Sequence, residues 1–228
     1  MIEDHPLLRI RRNFPRPTAA QVDVFRGAQT GHVVDAMLGN GGLDSRIKPI
    51  GGVKPFCGVA VTCHDGPADN LATYASLQVV QPGDVVISAA GGFTEIAIIG
   101  DLLLGMMKNA GVAAFVTDGA VRDIAGIRSV GLPCYAAAVT PNSPARHGPG
   151  SIGFPLVCGG VAIGPGDIVV GDEDGVVVVP FARIDEVIER LAAVRSAEAE
   201  LEAKVKDGLK IPHLLLKLID DGRFKYVD

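Results

Sequence analysis

The chain has 228 residues, 48% of them hydrophobic, with 29 glycines, no tryptophan and a net charge of −5. That length can bury a sizeable core as one domain with extensions, and the negative balance argues against a protein that coats nucleic acid. No stretch approaches the roughly 18 apolar residues of a membrane span, and "MIEDHPLLRIRRNF" does not read as a signal peptide, so a soluble, cytoplasmic protein is expected.

In chain order, "PRPTAAQVDVF" carries a capping box, Thr18 with Gln21, and predicts a helix over about 18–27. "TGHVVDAML" predicts a second short helix, and "NGGLDSRIKPIGG" a loop. "GVAVTCH" alternates and is β-rich, hence a strand; "DNLATYASLQVVQ" reads as a helix opened by an Asx cap. "PGDVVISAAGG" is a turn, a strand and a glycine break. "GDLLLGMMKNAG" is a helix stopped by Gly111 in the C′ manner. Then come a strand "VAAFVT", a helix "RDIAGIRSVG", a strand "CYAAAV" and a proline-rich loop "TPNSPARHGPGS", long enough to be a lid or rim. "GGVAIGPGDIVVGDEDGVVVVP" predicts an antiparallel meander turning at Pro165-Gly166 and Asp174-Gly175, followed by a long helix over about 181–206 and a basic, apolar tail. The order βαβαβ with an antiparallel finish predicts an α/β domain with a mixed sheet. No interdomain linker or repeat unit interrupts it.

The four cysteines, Cys57, Cys63, Cys134 and Cys158, form no CxxC and have no histidine cluster beside them, so they read as small buried thiols rather than a zinc site. The five histidines are scattered. His64 and Asp65 are neighbours, and adjacent strand residues point to opposite faces, which argues against an acid–base pair.

Three features stand apart from ordinary packing. In "DGAVRDIAG", Asp118, Arg122 and Asp123 sit where an apolar strand ends and a helix begins, which is where α/β proteins place ligands. Arg122 is a planar donor suited to a carboxylate, and Asp123 is a hard oxygen ligand suited to Mg²⁺ or Mn²⁺; a structural Arg–Asp pair or a helix cap is the competing reading. In "GGFTEIAIIGDLLLG", small residues lead into a helix start near Gly100 to Leu103, whose free amides suit a carboxylate or phosphate. Asp101 there also complements the helix dipole. The pattern matches neither a P-loop nor a dinucleotide turn. In the long terminal helix, Val187, Leu191, Val194, Leu201 and Val205 form an apolar stripe whose position 198 is occupied by Glu198. That carboxylate reads as a buried ion pair, a register-setting group in an oligomer seam, or a side chain delivered into a neighbouring subunit's site.

Together these residues resemble a known family. Asp101, twenty intervening residues and then Arg122-Asp123 look like the motif of the divalent-metal-dependent 4-hydroxy-4-methyl-2-oxoglutarate / 4-carboxy-4-hydroxy-2-oxoadipate (HMG/CHA) aldolases. The wider family includes the regulator of ribonuclease activity A (RraA-like) proteins and chains mislabelled as demethylmenaquinone methyltransferases. "GVAVTC", "DN" at 69–70, "PGDVV", the glycine- and valine-rich stretch and the terminal helix follow in the same order, so the resemblance spans roughly residues 20 to 210.

It implies a compact β/β/α swivelling fold, with a mixed sheet, N-terminal helices and a long C-terminal helix, assembled as a homotrimer or homohexamer with sites at subunit interfaces. It also implies that Asp123 is the direct ligand of Mg²⁺, Mn²⁺ or another divalent metal. Arg122 would bind a 2-keto acid near its C2 oxygen, and the amides around Gly100, Leu102 and Leu103 would hold its carboxylate. Asp101 would orient water on the metal, and so would Glu198 from an adjacent subunit. No residue of the "SPARHGPG" loop aligns as a substrate selector. The implied chemistry is retro-aldol cleavage to pyruvate, with oxaloacetate decarboxylation as a side activity and no role for a Schiff-base lysine. The non-catalytic rival is a protein-binding regulator of a ribonuclease; a methyltransferase would need an adenosylmethionine turn that "SAAGGFTE" supplies poorly.

Overall fold

The computed structural model describes residues 6–227; His5 and the opening residues of the N-terminal stretch lie outside the described residues. The chain divides into two units, one ending at Leu191 and one starting at Ala192.

The first unit is built on a mixed sheet. Its centre is four parallel strands in the spatial order Phe56–His64, Asp84–Ala89, Ala114–Thr117, Cys134–Ala136. Parallel neighbours need crossover connections, and the chain supplies them with helices. The helices in chain order are α1 (Ala19–Phe25), α2 (Thr30–Ala36), α3 (Leu71–Ala75), α4 (Asp101–Asn109), α5 (Ile124–Val130), α6 (Ile184–Lys206) and α7 (His213–Asp220). Of these, α3, α4 and α5 are the three crossovers. Antiparallel strands finish the sheet: Gly150–Ile152 and Ile168–Gly171 both pair with Phe56–His64, and Val176–Val179 pairs with Ile168–Gly171. The expected α/β class with a mixed sheet, N-terminal helices and a long C-terminal helix is present.

Side chains alternate across the pleat, so each strand feeds two cores. The row Val61, Val86, Phe115, Cys134 lies in register and packs with Leu103, Leu104 and Met107 of α4, Ile127 of α5 and Ala72 of α3. The alternate row, Ile87, Val116 and Tyr135, packs with Leu156, Cys158 and Ile163. The helices that carry the expected site thus share one face of the sheet.

The local signals hold where chemistry is local. Thr18 and Gln21 form the capping box at α1. Gly111, at φ +80°, turns the chain out of α4. The four cysteines are buried and free, and burial pushes the Cys57 thiol up to about 11 and that of Cys134 to about 12. Three expectations need correction. The meander does not form as one ribbon: Val161–Ile163 pairs with Leu156–Cys158 in a separate hairpin, and only the turn near Asp174-Gly175 joins adjacent strands. Strand pairing is decided by the best apolar surface available, and Ile168–Gly171 finds it on Phe56–His64. The helix expected over "DNLATYASLQVVQ" is also shorter, α3 ending at Ala75 and passing into a 3₁₀ turn over Ser76–Gln78; its Asx cap comes from Asp69, whose Oδ1 accepts from the Leu71 amide, while Asn70 makes no cap bond and Asp65 Oδ1 accepts from the amides of Ala72 and Thr73. Finally, Arg122 and Asp123 precede α5 rather than lying within it.

In the second unit, residues 213–220 of the tail form α7, with Leu214 and Leu216 exposed. Along α6, Val187 and Leu191 are buried, while Leu201 and Val205 are 43% and 55% exposed. Glu198 is exposed, which removes the reading of a buried ion pair. Among the described residues no helix is long and apolar enough to cross a membrane.

Asp65 is buried and accepts hydrogen bonds from the hydroxyls of Thr73 and Ser88 as well as from the two α3 amides. Burial raises its pKa above the ordinary 3.8, outweighing the opposing pull of those hydrogen bonds. A folded-state pKa above the unfolded one means that the contribution is full below the unfolded value and lost as pH rises through the folded value. Urea titrations of wild type and Asp65→Asn should therefore show a wild-type advantage that shrinks as pH rises from about 4. A difference that is flat with pH would show that Asp65 titrates alike in both states.

Candidate active site

The site is set by a close approach of two chain segments. Strand Ala97–Ile99 pairs with Ala120–Val121, and the Arg122 amide donates to the Ile99 carbonyl at 3.0 Å. This lays the 122–123 turn against Gly100, the N-cap of α4. A Cβ on Gly100 would stand 2.4 Å from Asp123 Oδ2 and 3.2 Å from Arg122 Cγ, so an added methyl would have to push both side chains aside. A Cβ on Gly126 would stand 2.0 Å from Asp101 Oδ2, which shows how closely the first turn of α4 packs on α5.

Asp123 has φ +60° and ψ +47°, the left-handed region. That conformation costs roughly 1–2 kcal/mol for most residues with a Cβ and less for aspartate or asparagine, which enter it more readily, and such backbone outliers are concentrated at functional sites. Its carboxylate is 45% exposed, and Arg122 Nε lies 3.3 Å from Oδ2. A half-exposed pair is worth little to stability, so it does not by itself account for the strain. Arg122 Nη1 also donates to Ser143 Oγ in the 140–149 loop. Asp118 is not part of this pair: its carboxylate accepts from the amides of Ala90 and Gly92 at 2.7 and 3.1 Å, a structural role.

The first intrahelical bond of α4 runs from the Leu104 amide to the Gly100 carbonyl, leaving the amides of Asp101, Leu102 and Leu103 without partners in the helix. A cavity of about 120 Å³ is lined by Gly100 to Leu103 and by Arg122 and Asp123. It is far smaller than the roughly 300 Å³ and upward of drug-sized pockets and suits a small acid. The six first-unit residues expected at the site are therefore brought together. Glu198, in the second unit, is not among the lining residues.

Sequence reasoning missed the rest of the lining. Asn70, Tyr74, Pro144 and Arg146 line it too, with the apolar Ile98 and Ile99 behind them. Asn70 is 2% exposed; its Nδ2 donates to the Ile98 carbonyl at 2.6 Å, and its Oδ1 is buried with no donor among the described residues. The proline-rich 140–149 loop is a fixed rim. Ala145 exchanges backbone hydrogen bonds with Ala68 and Asn70, and Asp69 Oδ2 accepts from the amides of His147 and Gly148. Although burial works the other way, these backbone donors and that of Leu71 hold the Asp69 carboxyl below its ordinary pKa.

Among the described residues, no group of three or more His, Cys, Asp or Glu could hold a metal ion. The carboxylates that line the cavity are those of Asp123 and the half-buried Asp101. That is unlike a zinc site but fits Mg²⁺, which keeps several waters and takes one or two carboxylates plus substrate oxygens.

A profile described as RraA-like, Aldolase/RraA, matches residues 30–178. The chain belongs to the Aldolase/RraA family. A protein of Halalkalibacterium halodurans provisionally named 4-hydroxy-4-methyl-2-oxoglutarate aldolase is 36% identical over 185 residues, covering 81% of this chain and 88% of that protein. An uncharacterised protein from Pseudomonas syringae superposes with a TM-score of 0.77 at 26% identity, over 87% of this chain and 93% of the other. Streptomyces coelicolor RraAS2, described as an unusual member of the RNase ES inhibitor RraA protein family, superposes at 0.70 with 28% identity, over 84% and 100%. The family thus joins proteins named for carbon–carbon cleavage with proteins named for inhibiting a ribonuclease.

Gly100→Ala tests the close approach. The added methyl must displace both Asp123 and Arg122, so activity or ligand binding at the cavity should fall at least tenfold. The mid-point of thermal unfolding should move by only a few degrees, as for a loss of about 1 kcal/mol. Unchanged binding would show that the two segments slide apart freely.

Proposed function

We propose that this chain cleaves a 4-hydroxy-2-oxo acid with a second carboxylate, of the HMG or CHA type, by a metal-dependent retro-aldol reaction, giving pyruvate and a second 2-oxo acid. One observation carries the reading: a helix N-terminus, an arginine and a strained, accessible aspartate converge on a single small cavity. A protein-binding regulator needs surface chemistry and has no use for that convergence. The name of the Halalkalibacterium relative supports the same reaction class.

The roles follow from what each group can do. The amides of Leu102 and Leu103 receive the C1 carboxylate at the positive end of α4. The Arg122 guanidinium donates to the C2 oxygen and stabilises the charge that develops there as the enolate forms. Asp123, with its accessible carboxylate, would hold Mg²⁺ or Mn²⁺. Bound there, such a cation would supply positive charge that favours an enolate. Asp101 orients a water that takes the proton of the C4 hydroxyl. The pair left on that oxygen forms the new carbonyl as the C3–C4 bond breaks, and the C3–C4 pair becomes the pyruvate enolate. The water returns the proton to C3, which completes pyruvate. Oxaloacetate gives the same enolate by losing carbon dioxide, so its decarboxylation is the expected side activity.

The deciding assay is pyruvate release from 4-hydroxy-2-oxo diacids and from oxaloacetate, with and without Mg²⁺ after chelation. Turnover should vanish in chelator, and Asp123→Asn should abolish it at saturating Mg²⁺. Asparagine tolerates the left-handed backbone but lacks the charge that holds a hard cation. Full turnover in chelator would overturn the metal role. Arg122→Lys keeps a charge and loses the planar fork, so kcat should drop by about 2–4 kcal/mol in barrier terms. A near-normal kcat would leave Arg122 as the structural partner of Asp123.

Glu198 acts, in this reading, in the site of an adjacent subunit of a trimer or hexamer. Inactive Glu198→Ala and Asp123→Asn chains, co-expressed and purified as hetero-oligomers, should then recover activity. Verified mixed oligomers no more active than either parent would remove Glu198 from the mechanism.

A further inference from the structure

We propose that Arg146 is the residue that receives the second carboxylate of the substrate, and that it makes this cavity select dianionic over monoanionic 2-oxo acids. The inference rests on the aldolase reading for the orientation of the substrate, but the cavity geometry supports it separately. Arg146 lines the same cavity as Arg122 and Asp123. Its Cζ lies 4.7 Å from the centroid of the Tyr74 ring, with Nη2 3.5 Å from the Tyr74 hydroxyl. Among the described residues it pairs with no carboxylate, whereas Arg122 already has Asp123.

A guanidinium stacked on an aromatic face points its in-plane N–H donors away from the ring; apart from the long Nη2 contact with the Tyr74 hydroxyl, they remain available to a carboxylate in two parallel hydrogen bonds. The backbone on either side is fixed. Ala145 is bonded to residues 68 and 70, and the amides of His147 and Gly148 donate to Asp69. Tyr74 stands on α3, whose start is tied to buried Asp65. The backbone that carries Arg146 and the ring it stacks on are therefore in place before a ligand arrives, with the guanidinium itself exposed at the rim.

Charge supports the same assignment. In the lining, the carboxylates of Asp101 and Asp123 balance the cations of Arg122 and Arg146. With a divalent cation on Asp123, the cavity neutralises a dianion. Without Arg146 the balance would suit a monoanion. The α4 amides and Arg122 account for one carboxylate and the adjoining oxo group, which leaves Arg146 for the other end.

Isothermal titration in Mg²⁺ separates the ends. 2-Oxoglutarate carries both carboxylates, and 2-oxobutanoate shares its oxo-acid head but lacks the second one. Wild type should bind 2-oxoglutarate at least tenfold more tightly. Arg146→Gln should weaken 2-oxoglutarate about tenfold and leave 2-oxobutanoate within twofold; Arg146→Lys should fall between. In turnover, Arg146→Gln should raise KM for a 4-hydroxy-2-oxo diacid about tenfold with kcat within threefold. Equal weakening of both ligands, no weakening of either, or no binding of 2-oxoglutarate by wild type would overturn the assignment. A protein that binds the two acids as expected but releases no pyruvate would overturn the aldolase reading and leave Arg146 in place. Pyruvate release unaffected by Arg146→Gln at subsaturating substrate would do the reverse.

Discussion

The site depends on one steric fact: the backbone at Gly100 and the side chains of Arg122 and Asp123 meet so closely that a methyl group would enter only by displacing them. Everything the cavity offers is a product of that contact. It brings the electropositive start of α4 against a cation and a carboxylate that follow Asp101 after twenty intervening residues. The contact is enforced from behind by the sheet, because α4 and α5 share one core through Leu103, Leu104, Met107 and Ile127. Buried apolar packing fixes the distance, and the polar groups take the positions that packing leaves them. That order of cause also explains why a half-exposed ion pair can sit in a strained backbone. The strain is held by the core, not by the pair.

Much of this was legible in the chain. Gly100, Asp101, Leu102, Leu103, Arg122 and Asp123 announce themselves because turn chemistry, helix starts and charges after an apolar strand are local signals, and the family resemblance placed them in one site. The α/β class was legible for the same reason, through alternating strand and helix periods. What stayed hidden depended on distant partners. Asp118 looks like a third member of the charged turn, yet its carboxylate is consumed by the amides of Ala90 and Gly92. Ile168–Gly171 reads as the middle of a ribbon, yet it joins a strand more than a hundred residues earlier. Tyr74 and Arg146 carry no local mark at all; they meet only because Asp69 gathers the amides of His147 and Gly148.

Glu198 illustrates a different limit. The apolar stripe around it is real in sequence, but its two halves meet different surroundings: Val187 and Leu191 are buried, while Leu201 and Val205 are not. A periodic pattern reports that a helix face avoids water. It does not report whether the face is covered by its own chain.

The pinned rim has a thermodynamic consequence. A site closed by a loose loop must order that loop on binding, and the lost chain entropy lowers affinity. Here the 140–149 segment is bonded through its backbone to residues 68–70 before any ligand is present. Binding a small acid should therefore carry the heat-capacity change of the buried ligand surface alone, without the larger negative increment that accompanies a segment folding onto its ligand.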